Sequence, residues 1–184
     1  VFIDDEAGVL REFFSADWSA YPGPAGDTVE PGHLCEWVWL LSEYERLGGA
    51  GSEAIRDRLY STARQYGVVA DTGLLCAAMD STGAHSDARS RSWMQTERIR
   101  AAAVQTRLGK PGAQADLDAA CQALFQHHLT PAVPGGWIDQ VDARGKALSG
   151  NIPASTLYHV LGAILETAGT EQPPALSPES VQTR

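Results

Sequence analysis

Three stretches set titratable and aromatic side chains at the ends of predicted elements. In Glu30-Pro31-Gly32-His33-Leu34-Cys35-Glu36-Trp37, the Pro-Gly pair breaks the chain just ahead of a helix and leaves His33 in its first turn. Free backbone N–H groups and the positive end of the helix dipole gather there. That field disfavours a protonated imidazole and suits a base. Glu36 and Trp37, at i+3 and i+4, share its face, so the carboxylate can orient the ring or take a sugar hydroxyl. In Arg91-Ser92-Trp93-Met94-Gln95-Thr96-Glu97, Trp93 and Glu97 are four apart on one helix face, a ring to cover sugar C–H groups beside an acid for hydroxyls. In Pro153-Ala154-Ser155-Thr156-Leu157-Tyr158-His159, a histidine stands early in an otherwise apolar helix. Each stretch also has a plain structural reading: a capping histidine, a core tryptophan with a dipole-favoured acid, and a satisfied core histidine. His127-His128 reads as capping at a helix end, where cationic histidine is favoured, and His85 as a loop residue.

The elements that carry these groups follow from periodicity and breakers. Helices are predicted over about 32–47, 52–66, 94–108, 113–129 and 154–167, with apolar residues at helical spacing and Gly48-Gly49, Gly67, Gly109 and Gly169 as stops. Short hairpins are expected at the start of the chain, over 74–91 around Asp80-Ser81-Thr82-Gly83, and over 137–148 around Ala143-Arg144-Gly145. The tail from Glu171, rich in proline, is expected to be disordered. Helix pairs in this rhythm suit a bundle, a solenoid or an α/α barrel.

Composition narrows the function. The 184 residues carry 14 Lys plus Arg against 23 Asp plus Glu, a net charge of −9, which argues against general nucleic-acid binding. No apolar run approaches the ~20 residues of a membrane span, and the acidic opening does not read as a signal peptide. The chain starts with Val, which suggests a fragment or processed piece. Three widely spaced cysteines, Cys35, Cys76 and Cys121, suggest neither disulfides nor a zinc site, and a cytoplasmic setting is the simpler expectation. No GxSxG, Walker A, HExxH, GxGxxG or EF-hand pattern is present, and no metal spacing is recognisable.

Taken together, the three motifs, with Gly135-Gly136-Trp137-x-Asp139 and Gly145-Lys146 between them, resemble the N-acylglucosamine 2-epimerase superfamily from about Phe2 to Glu166. The resemblance implies an all-α fold, an (α/α)6 barrel, of which residues 1–169 would be the C-terminal half, with short β-hairpin excursions and a tail over 170–184. It implies that His33 and His159 are the two catalytic acid/bases and that Glu36, Trp93, Glu97 and Trp137 bind substrate. The implied reaction needs no cofactor and no metal. An open-chain aldose loses its C2 proton to a histidine, giving a cis-enediolate that is reprotonated at C1 (aldose–ketose isomerisation) or at C2 from the other face (2-epimerisation). The ending Pro-Ala-Ser-Thr-x-Tyr-His leans toward the isomerase branch. Expected partners are a small-molecule sugar, the missing N-terminal half of the barrel, whose absence would bare apolar faces, and a second copy as a homodimer. The alternative is a non-catalytic interaction module of the same fold, like a renin-binding protein. A glycoside hydrolase, which wants paired carboxylates, ranks lower. Cys35 and Met94 depart from the family's usual Phe and Pro and are expected to affect packing and the helix start only.

Overall fold

The computed structural model describes residues 2–4, 7–130 and 133–168. The tail expected from residue 170 lies outside them. Five helices form: α1 (Pro31–Arg46), α2 (Glu53–Tyr66), α3 (Ser92–Arg107), α4 (Ala113–His127) and α5 (Thr156–Ala168). Six strands of two or three residues fill the connections: β1 (Ile3–Asp4), β2 (Val9–Leu10), β3 (Ala78–Met79), β4 (His85–Asp87), β5 (Ser90–Arg91) and β6 (Gln140–Val141). The pairs β1–β2, β3–β4 and β5–β6 are antiparallel.

Helix α3 is the centre. It packs against α1, α4 and α5, while α2 packs against α1 and reaches α4 through Tyr60 and Asp116. Its Ala101, Ala102 and Ala103 are fully buried, and such small side chains let neighbouring helices approach closely. Leu34, Cys35 and Val38 of α1, Leu59 and Ala63 of α2, and Leu117 and Leu124 of α4 close the core around it. The first turns of α1, α3 and α5 meet at one end of the molecule. At the other end Glu166 of α5 reaches Trp39 of α1 and Arg107 of α3. These three helices therefore run the same way, and α2 and α4 return the chain between them.

The predicted hairpins form, with one change of partner. Residues 84–91 do not return as one strand: β4 pairs with β3, with a register shift, but β5 crosses to β6. Helix α3 begins at Ser92, two residues earlier than predicted, because the Ser92 N–H donates to the Asp139 carbonyl at 2.9 Å and fixes the strand-to-helix junction. No helix among the described residues is long and apolar enough to cross a membrane. The three cysteines are free thiols, and burial pushes that of Cys76 up to about 12. Cys35 and Met94 are both in the core. On α5, Leu157, Leu161, Ile164 and Leu165 are more than half exposed, a bare apolar face as expected for part of a barrel.

A buried polar cluster ties three helices. Asp116 of α4 accepts from the Tyr60 hydroxyl of α2 at 2.6 Å and from Arg98 of α3 at 2.7 Å, and Arg98 also donates to the Gly73 carbonyl. Burial, then the neighbouring carboxylate, push the Tyr60 phenol well above its usual range, so it stays a donor. Removing the acid leaves a buried guanidinium without its counter-charge, which typically costs about 3–5 kcal/mol. Asp116→Ala is expected to lose that much in urea unfolding.

Candidate active site

The site starts from a close helix contact. A Cβ on Gly32 would stand 3.0 Å from the Cβ and Cγ of Met94 and from the indole of Trp93. Glycine at this position lets the start of α1 lie directly on the start of α3. His33 then falls beside Trp93, with ring centroids 5.0 Å apart. Pro31 in the first turn needs no N–H partner there.

The electrostatics of His33 reverse the expectation drawn from the helix dipole. Its Nδ1 lies 2.9 Å from Glu12, in the loop after β2, and 3.6 Å from Glu30. The hydrogen bond to Glu12 raises its pKa above the usual value; partial burial opposes this, and the charges of Glu12, Glu30 and Glu36 add to the rise. A full negative charge in contact outweighs the roughly half charge of a helix end. The other Glu12 oxygen accepts the Glu30 N–H at 3.1 Å, which holds the loop against the helix start. Burial pushes the Glu30 carboxyl up, while His33 works against that shift.

The second histidine is braced from behind. His159 Nδ1 lies 2.8 Å from a Glu97 oxygen. Glu97 is 0% exposed, and Arg100 Nη1 stands 2.9 Å from each of its oxygens. An ionised carboxylate only accepts, so Nδ1 carries the proton and Nε2 is left for the cavity. Tyr158 lies against the His159 ring, with centroids 3.9 Å apart, and the Trp93 ring is 5.4 Å from the same imidazole. One indole thus contacts both imidazoles.

Asp139 joins the helix starts that carry these groups. Its Oδ1 is 3.3 Å from the hydroxyls of both Ser92 and Thr156, and Arg91 lies 3.6 Å from its other oxygen. Gln95 faces away from the cavity and pins the backbone of Leu75 and the hydroxyl of Ser90.

His33, Glu36, Trp93 and His159, four of the residues singled out from the sequence, line one open cavity of about 210 Å3, together with Arg91, Ser155, Thr156 and Tyr158. Glu97 does not line it; the carboxylate expected to take sugar hydroxyls is sealed behind His159. Trp137 does not line it either. It faces a separate hollow with Val133, Ile138 and Ile152, because the chain from 137 to 139 turns away to pair β6 with β5. His128 is not a surface cap: it is fully buried, its Nδ1 is 2.7 Å from the Ile138 carbonyl, and burial lowers its pKa. His85 is exposed and bonds the Tyr66 carbonyl. Glu12, Arg91 and Tyr158 were missed. Tyr158 and Arg91 stand inside the quoted motifs and were open to recognition; Glu12, 21 residues ahead of its partner, carries no local signal.

Glu12, Glu30 and His33 are the one group among the described residues whose donor atoms lie close enough to share a metal ion. The 2.9 Å contact from His33 to Glu12 is shorter than the roughly 3.3 Å between two ligands on a tetrahedral zinc, so the trio fits a shared proton better.

A row of three parallel helices, backed by returning ones and opening their first turns on a histidine-lined hollow, is part of an α/α barrel. The sequence profile of N-acylglucosamine 2-epimerase (GlcNAc 2-epimerase) matches residues 1–163, and the chain belongs to that family. A curated relative from Rhizobium meliloti (strain 1021), named mannose-6-phosphate isomerase, is 38% identical over 170 residues, 90% of this chain and 44% of that protein. A solved D-mannose isomerase superposes with a TM-score of 0.79 at 20% identity, over 89% of this chain and 45% of its own. The cellobiose 2-epimerase of Bacillus thermoamylovorans B4167 does so at 0.76 and 19%, over 94% and 47%. These two likenesses are of fold. The chain spans less than half the length of the relatives it matches.

Two outcomes follow from the geometry. Glu12→Gln should bring the titration of His33, followed by NMR, down toward the ordinary 6.5. Because folding raises this pKa, the stability His33 contributes is complete below about pH 6.5 and is lost as pH rises through the raised value; the Gln variant should lose that dependence. Gly32→Ala should push α1 away from α3 and cost about 1–3 kcal/mol in chemical unfolding.

Proposed function

We propose that this chain forms the histidine-bearing, C-terminal half of a sugar isomerase that acts at C2 of a free aldose, with mannose–fructose interconversion as its reaction. The observation that carries this reading is that two imidazoles, 126 positions apart in the sequence, line one cavity on either side of a shared indole. The names of the relatives, mannose-6-phosphate isomerase and D-mannose isomerase, favour mannose and the isomerase branch.

The mechanism follows from what each group can do. An aldose must open before its C2 proton becomes acidic. His33, held toward its protonated form by Glu12, is suited to donate to the ring oxygen. His159, with Nδ1–H on Glu97, presents a bare Nε2 that takes the C2 proton. The resulting cis-enediolate places negative charge on oxygen, which Arg91 and the Tyr158 hydroxyl, both on the cavity wall, can meet; each such donor is worth about 3 kcal/mol in comparable sites. Moving the O2 proton to O1 and returning the proton from Nε2 to C1 on the same face gives the ketose. Trp93 covers the sugar's C–H surface, and Glu36 takes a hydroxyl. The remaining half of the barrel covers the bare face of α5 and closes the hollow.

The test is solvent exchange. With mannose in D2O, a polypeptide of full barrel length should yield fructose carrying deuterium. His159→Gln and His33→Gln should each lower the rate by about 10²–10⁴-fold. Glucose as the first product would move the assignment to 2-epimerisation. Undiminished exchange in either variant would remove that histidine from the chemistry.

A further inference from the structure

Behind His159 lies a residue that touches no part of the cavity. Arg100 of α3 is buried, with its side chain 10% exposed. Its guanidinium carbon lies 3.9 Å over the ring of Trp39 on α1. On the other side is Gly162 of α5, where a Cβ would stand 3.4 Å from the guanidinium Cζ and Nε. The group is thus a flat slab held between an indole and the one α5 residue without a side chain, and Nη1 points at both oxygens of Glu97. Trp39 is itself tied down, its Nε1–H donating to Glu166 at 2.8 Å. This packing fixes one cation against one carboxylate.

We propose that Arg100 is a positioning residue that keeps Nε2 of His159 unprotonated by holding Glu97 as a permanent acceptor for Nδ1–H. The inference rests on the reading of His159 as the base. A buried carboxylate with no cation has two ways to shed its cost. It can take a proton and donate it to Nδ1, which moves the imidazole proton to Nε2. Or it can draw a second proton onto the imidazole and form an ion pair, which also leaves Nε2 protonated. Either way the nitrogen that faces the sugar ceases to be a base. Arg100 closes both routes, because its charge satisfies Glu97 while its donors occupy the oxygens.

Other charged groups around His159 do not substitute. His33 and Glu36 on α1 and Arg91 on β5 stand across the cavity from it. Asp139 is engaged with Ser92 and Thr156. Tyr158, adjacent in the chain, lies tilted against the ring and its phenol is held above its usual range by partial burial. His33 has the opposite arrangement: its carboxylates have no buried arginine behind them, and it is biased toward the charged form. His33 faces three carboxylates near the surface, whereas His159 faces one buried carboxylate that a guanidinium holds.

The experiment is 15N NMR of histidine-labelled chain, read about two pH units above the ordinary imidazole value, so that protonation reports the local partner rather than bulk pH. The parent should show His159 with a protonated Nδ1 and a bare Nε2. Arg100→Met should show a proton on Nε2, and Arg100→Lys, which returns a cation, should restore the bare nitrogen. If Arg100→Met does not fold, Glu97→Gln gives a second reading, in which the unpaired charge is the guanidinium that still faces the Trp39 ring. With Arg100 taking its amide oxygen, the amide NH2 faces Nδ1 and Nε2 again carries the proton. A bare Nε2 in folded Arg100→Met, or in Glu97→Gln, overturns the proposal. In full-length polypeptide Arg100→Met should lower kcat at least tenfold with KM within about twofold, since no sugar contact changes; a KM effect alone would also overturn it. The NMR result stands apart from turnover, so an inactive parent with the expected protonation pattern would count against the isomerase reading and not against this device.

Discussion

Helix α3 is enclosed by α1, α4 and α5, and a helix so enclosed cannot leave a charge unpaired. Within four positions it buries Glu97, Arg98 and Arg100. Burying any one of them alone would cost several kcal/mol, so each must meet a partner on a neighbouring helix or on α3 itself. Arg98 meets Asp116 and so sets α4 and, through Tyr60, α2. Glu97 meets Arg100 and then His159, and so sets α5. The same requirement that holds the helices in place also places the imidazole. Structure and candidate chemistry are joined by that one constraint.

The two ends of the cavity are built differently for this reason. His159 is held from the interior, by a carboxylate that is itself held. His33 is held from the surface, by Glu12 on a loop and Glu30 at the helix start, and its side chain is about one-third exposed. An imidazole under these two influences is suited to two tasks, one acidic and one basic, although both residues have the same intrinsic chemistry. Trp93, in contact with both, sets the width between them.

Much of this was legible in the sequence, and the parts that were not have a common cause. Five helices and three hairpins followed from periodicity, glycine stops and turn residues, because those signals act within a few positions. The motif around Pro31-Gly32-His33 pointed to a histidine in a first turn, which is where it lies. The resemblance brought His159 to the same hollow, which spacing could not have done. What failed was non-local. Glu97 read as an acid for sugar hydroxyls because a helix pattern does not reveal that every face is covered. His33 read as neutral because the dominant charge, Glu12, comes from a loop 21 residues earlier. His128 read as a cap because the segment that buries it, around Ile138, follows an intervening loop. Trp137 was a sugar contact by resemblance alone, and the crossing of β5 to β6 beside it is a tertiary event.

The central claim is that His33 and His159 act on one opened sugar, His159 at C2 and His33 at an oxygen. A crystal structure of a full-length polypeptide with an open-chain hexitol bound would test it most directly. The account predicts the hexitol in the hollow beside Trp93, with C2 within hydrogen-bond reach of His159 Nε2 and an oxygen of the chain toward His33. A hexitol seated elsewhere, or one whose C2 lies away from both imidazoles, would contradict it.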